Sequence, residues 1–292
     1  MENTHRTGKH EPKLRVRDYV VILGWAVLAA LLLKTLVVDA YRIPTRSMEQ
    51  TLFPGDFVLV NKLVYGGRTP SRLPWTSYRI PRILFPSLAQ PRTGDVLVFE
   101  FPGEGTMQPF PPHTYVKRVA AVPGDILAMS SGTLLINGRP VVPPVAVDVP
   151  FDGELRTGTT GGVPARWIDQ VSGSPLVVPG RGSVLDLGGG HLPRWSSLIE
   201  REGHRLSVDS GGCIRIDGLP SESYTVEHNH YFVLGDNRND SFDSRAWGLV
   251  PDDGLIGKAM IVYWSRSEVP GSDDFLERLR SIRWDRIGTL VR

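Results

Sequence analysis

The 292-residue sequence contains one cysteine, Cys213, and a single thiol excludes both an intrachain disulfide framework and a Cys-rich zinc site. Net charge is nearly absent too. The 33 Lys and Arg stand against 31 Asp and Glu, a formal +2, so a polyanion-seeking protein is not indicated and no nucleic-acid partner is expected. With 41% hydrophobic and 22% charged residues the chain is not a disordered polyelectrolyte either. Long apolar runs are missing everywhere but one place, an exception hidden by a mean hydropathy of -0.12. Turn chemistry is abundant: Gly (31) and Pro (24) make about 19% of the chain, which points to many short strands and turns. Cys213 follows Gly211-Gly212 and precedes Ile214-Arg215-Ile216, a loop entering a strand with no histidine close by. It reads as a packing residue, following the burial habit of free cysteine, and not as a nucleophile.

The one apolar run is Tyr19–Val38, 20 residues with a single charge, enough at 1.5 Å per residue to span ~30 Å of hydrocarbon. Before it, Arg6, Lys9, Lys13, Arg15 and Arg17 outnumber Glu2, Glu11 and Asp18, an excess of Lys and Arg that holds residues 1–18 in the cytoplasm and exports the chain beyond Val38. Lys34 sits about one turn from the far end, where its stem can snorkel to the interface. A cleavable signal peptide is the competing reading, since Val38-Asp39-Ala40 has small-residue spacing after a basic start. The length of Tyr19–Leu33 and the charge of Lys34 in the would-be cleavage region favour an uncleaved, single-pass anchor.

Three polar blocks come next in the chain. Directly after the anchor stands Tyr41-Arg42-Ile43-Pro44-Thr45-Arg46-Ser47-Met48-Glu49-Gln50-Thr51-Leu52, then Pro54-Gly55-Asp56 and the strand-like Phe57–Val60. Pro44 pushes Ile43 to an extended conformation and removes a ladder donor, which places Ser47 at a strand-to-turn corner. Next, Gly94–Phe99 and Tyr115–Val122 read as strands, the second interrupted by Lys117-Arg118 and closed by Pro123-Gly124-Asp125. Alternation puts Lys117 and Arg118 on opposite faces, so one cation must point toward a buried side. Lys117 is then either an edge-strand lysine or a buried amine with a lowered pKa, able to act as a base near neutrality. The third block, Leu234–Pro251, is dense in turn formers and short polar side chains; Asp243 and Arg245 could build a rigid scaffold there, and Ser241 could orient an amine.

In this order, Ile-Pro-x-x-Ser-Met with Pro-Gly-Asp, Tyr-Val-Lys-Arg-Val with Pro-Gly-Asp, and Gly-Asp-Asn-Arg-x-x-Ser-x-Asp-Ser-Arg behind an apolar anchor resemble the bacterial type I signal peptidases. These are membrane-anchored Ser/Lys endopeptidases that remove signal peptides from exported proteins. The resemblance implies a mainly β catalytic domain of the signal-peptidase type, with a β-rich insertion, behind one N-terminal transmembrane helix. It implies Ser47 as nucleophile, Lys117 as neutral general base, an acyl-enzyme, and an oxyanion hole from the Ser47 N–H and the Thr45 hydroxyl. Ser241 would hydrogen-bond and hold the Lys117 amine, with Asp243 and Arg245 behind the dyad. Ile43, Pro44, Met48, Leu52 and Val116 would line shallow pockets for the small side chains one and three positions before the cut. The substrate would lie as an added strand along the Tyr41–Thr45 and Tyr115–Lys117 edges. The implied partners are signal peptides of exported preproteins, membrane lipid and, by proximity, the secretion translocon; no cofactor or metal is implied. Three departures bear on the cleft. Thr45 is often serine, Arg46 is commonly small, and Glu49-Gln50 replaces a hydrophobic-Pro pair.

The resulting division is a cytoplasmic tail (1–18), an anchor (19–38), a catalytic domain (39–136 and 231–270), an inserted subdomain (137–230) and a basic amphipathic segment (271–292). The insertion holds the Asn137-Gly138 turn, Gly/Pro-rich stretches at Thr157–Val163 and Gly180–Gly190, and a helical pattern near Trp195–Glu202. Of its histidines only His228 and His230 are close in sequence, a weak signal for metal. The C-terminal arginines with Trp284 and Leu290 suit either a helix on the bilayer surface or a terminal element packed on the domain. Two rival functions fit less well. A cytosolic repressor autoprotease would lack the anchor, and a non-catalytic tethered binding domain would have no need of Ser47, Lys117, Ser241, Asp243 and Arg245 together.

Overall fold

The computed structural model describes residues 16–32, 34, 37–66, 86–101, 114–142, 167–171, 174–267 and 275–292. It is mainly β. A first helix, α1 (Val16–Leu32), leads into β1 (Val38–Arg42) and β2 (Asp56–Asn61), followed by β3 (Val96–Glu100) and β4 (Thr114–Ala121). Then come β5 (Ile126–Ser130), β6 (Thr133–Ile136), β7 (Arg139–Pro140), β8 (Leu176–Val177) and β9 (Val184–Asp186), and helix α2 (Leu192–Arg201). Short strands β10 (Leu206–Val208), β11 (Ile214–Ile216), β12 (Leu219–Pro220) and β13 (Ser223–Thr225) precede β14 (His230–Leu234). Helix α3 (Ser244–Trp247), β15 (Val250–Pro251), β16 (Leu255–Ser265) and α4 (Phe275–Arg280) complete the order.

Of the expected helix through Val38, the described residues show α1 (Val16–Leu32) and π-helical Lys34 and Val37, while Val38 pairs with Asn61 as the first residue of β1. Among the described residues no helix is long and apolar enough to cross a membrane. Residues 1–15 and the Thr157–Val163 stretch lie outside the described residues.

Seven strands form one antiparallel-paired sheet in the order β1-β2-β16-β3-β4-β14-β15. β2 reads Asp-Phe-Val-Leu-Val-Asn and alternates buried and half-buried along its length, the period of a strand with one face in the core. β3 and β14 carry apolar side chains buried on both faces. One face packs with Ile43, Met48, Leu52, Val58 and Val60, the other with Leu97, Phe99, Val119, Tyr231 and Trp247. A four-stranded sheet, β7-β6-β5-β8, straddles residue 136, and its core runs through Leu127, Trp167, Ile199 and Phe232. The sheet shares that core with α2 and β14, so the insertion is fused to the large sheet through side chains of both.

Cys213 is exposed at the entrance to β11, which corrects the expectation that it packs inside. Its N–H donates to Asp209 Oδ1 in a tight turn that carries the side chain outward. The C-terminal segment packs on the domain. Residues 282 and 290 form bridges to Arg266 and Ile261, and α4 is only six residues long.

Candidate active site

Ser47 sits on a compact turn closed by Glu49 N–H to Arg46 O, Thr51 N–H to Met48 O and Leu52 N–H to Met48 O, at 2.9, 3.1 and 2.8 Å. The turn is fastened to the core by its apolar residues, since Met48 and Leu52 are fully buried. Ahead of it, Ile43 N–H donates to Asp56 O while Gly55 N–H donates to Ile43 O, so the extended segment predicted before Pro44 continues the β1–β2 pairing. Gly55 is required there: its φ is +88°, and a Cβ would stand 2.0 Å from Arg266 O. Asn237 pins the other side, its N–H donating to Ser47 O (3.1 Å) and its Nδ2 to Arg46 O (3.2 Å).

Lys117 comes from the middle of β4, where it lies opposite Leu97, while Arg118 lies opposite Val96. The two cations therefore leave the strand on opposite faces, and both are buried, not one alone as alternation required. Lys117 Nζ reaches Ser47 Oγ at 2.5 Å. Desolvation lowers its pKa from 10.5 to about 8, with Arg245 acting in the same direction and Asp243 opposing it. Lys117 stands on the part of β4 that β14 does not reach, yet it is buried, so a solvated edge lysine is excluded. Thr45 Oγ1 is 3.3 Å from Ser47 Oγ, and Thr45 itself is exposed at the mouth. Among the described residues Ser47 N–H meets no acceptor, so it stays available to a ligand oxygen.

The hydrogen bond expected from Ser241 to Lys117 is not formed. Among the described residues Ser241 Oγ is buried without a partner, wedged across Gly235 from the Ser47 carbonyl. A Cβ on Gly235 would stand 2.1 Å from Ser241 Oγ and 2.4 Å from Ser47 O, so only glycine lets the two loops meet. Asp243 is wholly buried and receives Arg245 Nε and Nη2 at 2.8 and 2.9 Å, besides the Gly235 N–H at 3.0 Å. It also accepts from Arg245 N–H as the N-cap of α3. Burial opposes ionisation of this carboxyl, but the charge and bonds of Arg245 prevail and hold its pKa below the usual value.

A second ion pair lies behind the first. Arg118 Nε and Nη2 bind the two oxygens of fully buried Asp236 at 2.8 and 2.7 Å, and Thr51 Oγ1 donates to the same carboxylate at 2.6 Å. Sequence reasoning assigned no role to Asp236, Thr51 or Arg118. The available signal was the pair of adjacent cations in one strand, since two buried charges on opposite faces need two counterions.

Of the apolar residues predicted to line the substrate pockets, Ile43, Met48 and Leu52 are buried in one cluster, against which Tyr41 and Val116 pack. Pro44 is exposed beside them. Among the described residues the Tyr115–Lys117 half of β4 pairs with β3 alone, since β14 joins β4 from Arg118 onward. His228 and His230 diverge: His228 Nδ1 faces Asp252 Oδ1 at 2.9 Å, and His230 Nδ1 donates to His228 O at 3.0 Å.

The family described as "Signal peptidase, peptidase S26" matches residues 16–264. A signal peptidase I of Pseudomonas aeruginosa is 31% identical over 246 residues, covering 80% of this chain and 68% of that protein. One from Aquifex aeolicus is 30% identical over 259 residues, 86% of this chain and 85% of that protein. A solved signal peptidase I from Enterococcus faecalis aligns with TM-score 0.25 and 20% identity, covering 59% of this chain and 98% of the other.

Proposed function

The chain belongs to the signal peptidase family, peptidase S26, and from that premise we propose that it removes N-terminal signal peptides from exported preproteins with a Ser47/Lys117 dyad. The observation that carries the assignment is the 2.5 Å approach of a buried lysine amine to a serine hydroxyl on a rigid turn. No histidine is needed. Neutral Lys117 takes the Ser47 proton as Oγ attacks the scissile carbonyl, and returns it to the leaving amine of the mature protein. The same amine then activates the water that hydrolyses the acyl-enzyme. The Ser47 N–H and Thr45 hydroxyl stabilise the oxyanion, and Asp243 with Arg245 fixes the loop behind the dyad. Ser241, whose hydroxyl lies against Gly235 beside the Ser47 carbonyl, supports the dyad from that crossing.

Substrate enters as an added strand on the free side of Tyr115–Lys117, facing the Tyr41–Thr45 edge, with Ile43, Pro44, Met48, Leu52 and Val116 around the small side chains before the cut. The 137–230 region is an inserted subdomain of the 39–136 and 231–270 catalytic domain, with 271–292 closing the chain over it. Residues 19–38 anchor the protein in the inner membrane, N-terminus cytoplasmic and catalytic domain on the exported face, near lipid and the secretion translocon. The anchor reading is supported by the apolar composition of that stretch and by the exposure of Tyr19, Val20 and Trp25 along α1.

The test is cleavage of a preprotein by the detergent-solubilised full chain. Wild type should release the mature protein, while Ser47→Ala and Lys117→Ala should not. Full activity in either variant would overturn the dyad, and no cleavage by wild type would favour a tethered binding domain instead.

A further inference from the structure

The C-terminal segment is tied to the turn that carries Ser47, and it is tied by arginines. Arg286 Nη2 donates to the Thr51 carbonyl at 2.9 Å, and also to Asp56 Oδ2. Its guanidinium lies 4.5 Å over the Phe53 ring, so three residues of one loop meet a single side chain. Arg283 makes a different set: Pro54 O at 2.7 Å, Asp56 Oδ1 at 3.2 Å and Ser265 Oγ at 2.8 Å. Beyond them, Val291 N–H donates to Met260 O, and the Arg292 carbonyl accepts from Arg118 Nη1 at 2.8 Å. Arg118 in turn bonds Thr51 Oγ1 at 3.1 Å and is the neighbour of Lys117 on β4.

Thr51 is therefore held three ways: its hydroxyl by Asp236 and Arg118, its carbonyl by Arg286. It is one of the residues that close the Ser47 turn, through its N–H to Met48 O. The 2.5 Å contact of Ser47 with Lys117 joins a loop that follows β1 to the middle of β4, so its length depends on where the turn sits relative to the sheet. A shift of about 1 Å in such a contact costs on the order of 100-fold in rate.

We propose that Arg286 is a positioning residue for the nucleophile, setting the Ser47 turn at its distance from Lys117 through the Thr51 carbonyl, while Arg283, which shares Asp56 but binds Pro54 instead of Thr51, serves to fasten the segment to the domain. The inference rests on Ser47 and Lys117 being the dyad.

Three variants of the full chain in detergent separate the roles: Arg286→Ala, Arg286→Lys and Arg283→Ala. Steady-state cleavage of a preprotein should show kcat of Arg286→Ala lowered about tenfold or more with KM nearly unchanged, because substrate pockets are left intact. Arg286→Lys keeps the charge and one donor and should recover most of the loss. Arg283→Ala should lower the melting temperature at least as much yet keep kcat within about twofold, assayed where all variants are folded. Equal loss of kcat in the two alanine variants would overturn the proposal, leaving plain attachment of the segment. Hydrogen exchange of the Thr51 and Leu52 amides supplies a readout independent of peptidase activity. It should speed up in Arg286→Ala and not in Arg283→Ala, and unchanged protection in both would also overturn the proposal. If wild type cleaves nothing, the dyad reading fails, while the exchange result still decides whether Arg286 holds the turn.

Discussion

Lys117 Nζ and Ser47 Oγ stand 2.5 Å apart although 70 residues separate them in the chain. Burial brings the amine's pKa down to about 8, so near neutrality a useful fraction carries the lone pair that a base needs. The sign is set by that requirement: protonation below the pKa removes the base. We expect kcat/KM for preprotein cleavage to rise about tenfold per pH unit below pH 8 and to level off above it. A rate independent of pH between 6 and 8 would show that Lys117 is not the base.

The same burial has a cost in stability. The charged amine is penalised in the folded state and not in the unfolded one, where its pKa stays near 10.5. Below about pH 8 both states are protonated and the penalty is complete; it fades as pH rises toward the unfolded value. Lys117→Met, which keeps the stem and drops the charge, should stabilise the domain by about 2–3 kcal/mol at pH 7. The gain should shrink toward pH 10. Urea unfolding at the two pH values checks it, and an equal gain at both would refute the desolvation account.

Much of this arrangement was legible in the sequence. The alternation of Phe57–Val60 and the β-branched run around Lys117 located β2 and β4, and the Trp195–Glu202 pattern located α2 (Leu192–Arg201). Motif order then brought Ser47, Lys117, Asp243 and Arg245 into one neighbourhood, where the fold also gathers them. Contacts without a local pattern were out of reach. That Gly235 must be glycine depends on Ser47 O arriving from a loop 188 positions earlier, a tertiary fact with no signature in a single turn-rich segment. The pairing of Asp236 with Arg118 is of the same kind. So is the packing of the C-terminal arginines on Asp56: an amphipathic basic segment looks alike whether its partner is lipid or a buried carboxylate. Ser241 shows a limit of another sort, since a motif fixes a neighbourhood and not the rotamer of one hydroxyl.

Gly235→Ala should be among the most damaging single-methyl additions in the molecule. The new Cβ would stand 2.1 Å from Ser241 Oγ and 2.4 Å from the Ser47 carbonyl, and the second contact is backbone. Relief requires the Ser47 turn to retreat, which lengthens its distance from Lys117. A loss of about 100-fold or more in kcat is expected, with the protein still folded by circular dichroism. Activity within threefold of wild type would mean the two loops yield without moving Ser47.

The Asp243–Arg245 pair is buried on both sides, so its members are not separable. Arg245→Ala leaves a carboxylate in the core and Asp243→Ala leaves a guanidinium; each should cost about 3–5 kcal/mol. The double variant should cost less than the sum, since it removes both charges together. Because Asp243 is held below its ordinary pKa, its contribution is complete above about pH 4 and is lost as pH falls through the lower folded value. Denaturant titrations at pH 7 and pH 3 should therefore show Asp243→Ala costing less at the lower pH.

Thr45 permits the sharpest separation of chemistry from folding, because it is exposed and its hydroxyl lies 3.3 Å from Ser47 Oγ. At an exposed site of this kind an isosteric change alters stability by only about 0.5 kcal/mol. Thr45→Val keeps the shape and removes the donor. If that donor meets the developing oxyanion, kcat should fall about 100- to 1,000-fold with KM nearly constant, since the bond is made in the transition state and not to bound substrate. Thr45→Ser retains the hydroxyl without the methyl that restricts χ1, and should stay within a fewfold of wild type. A valine variant as active as serine would assign the oxyanion to the Ser47 N–H alone and reduce Thr45 to a residue at the cleft mouth.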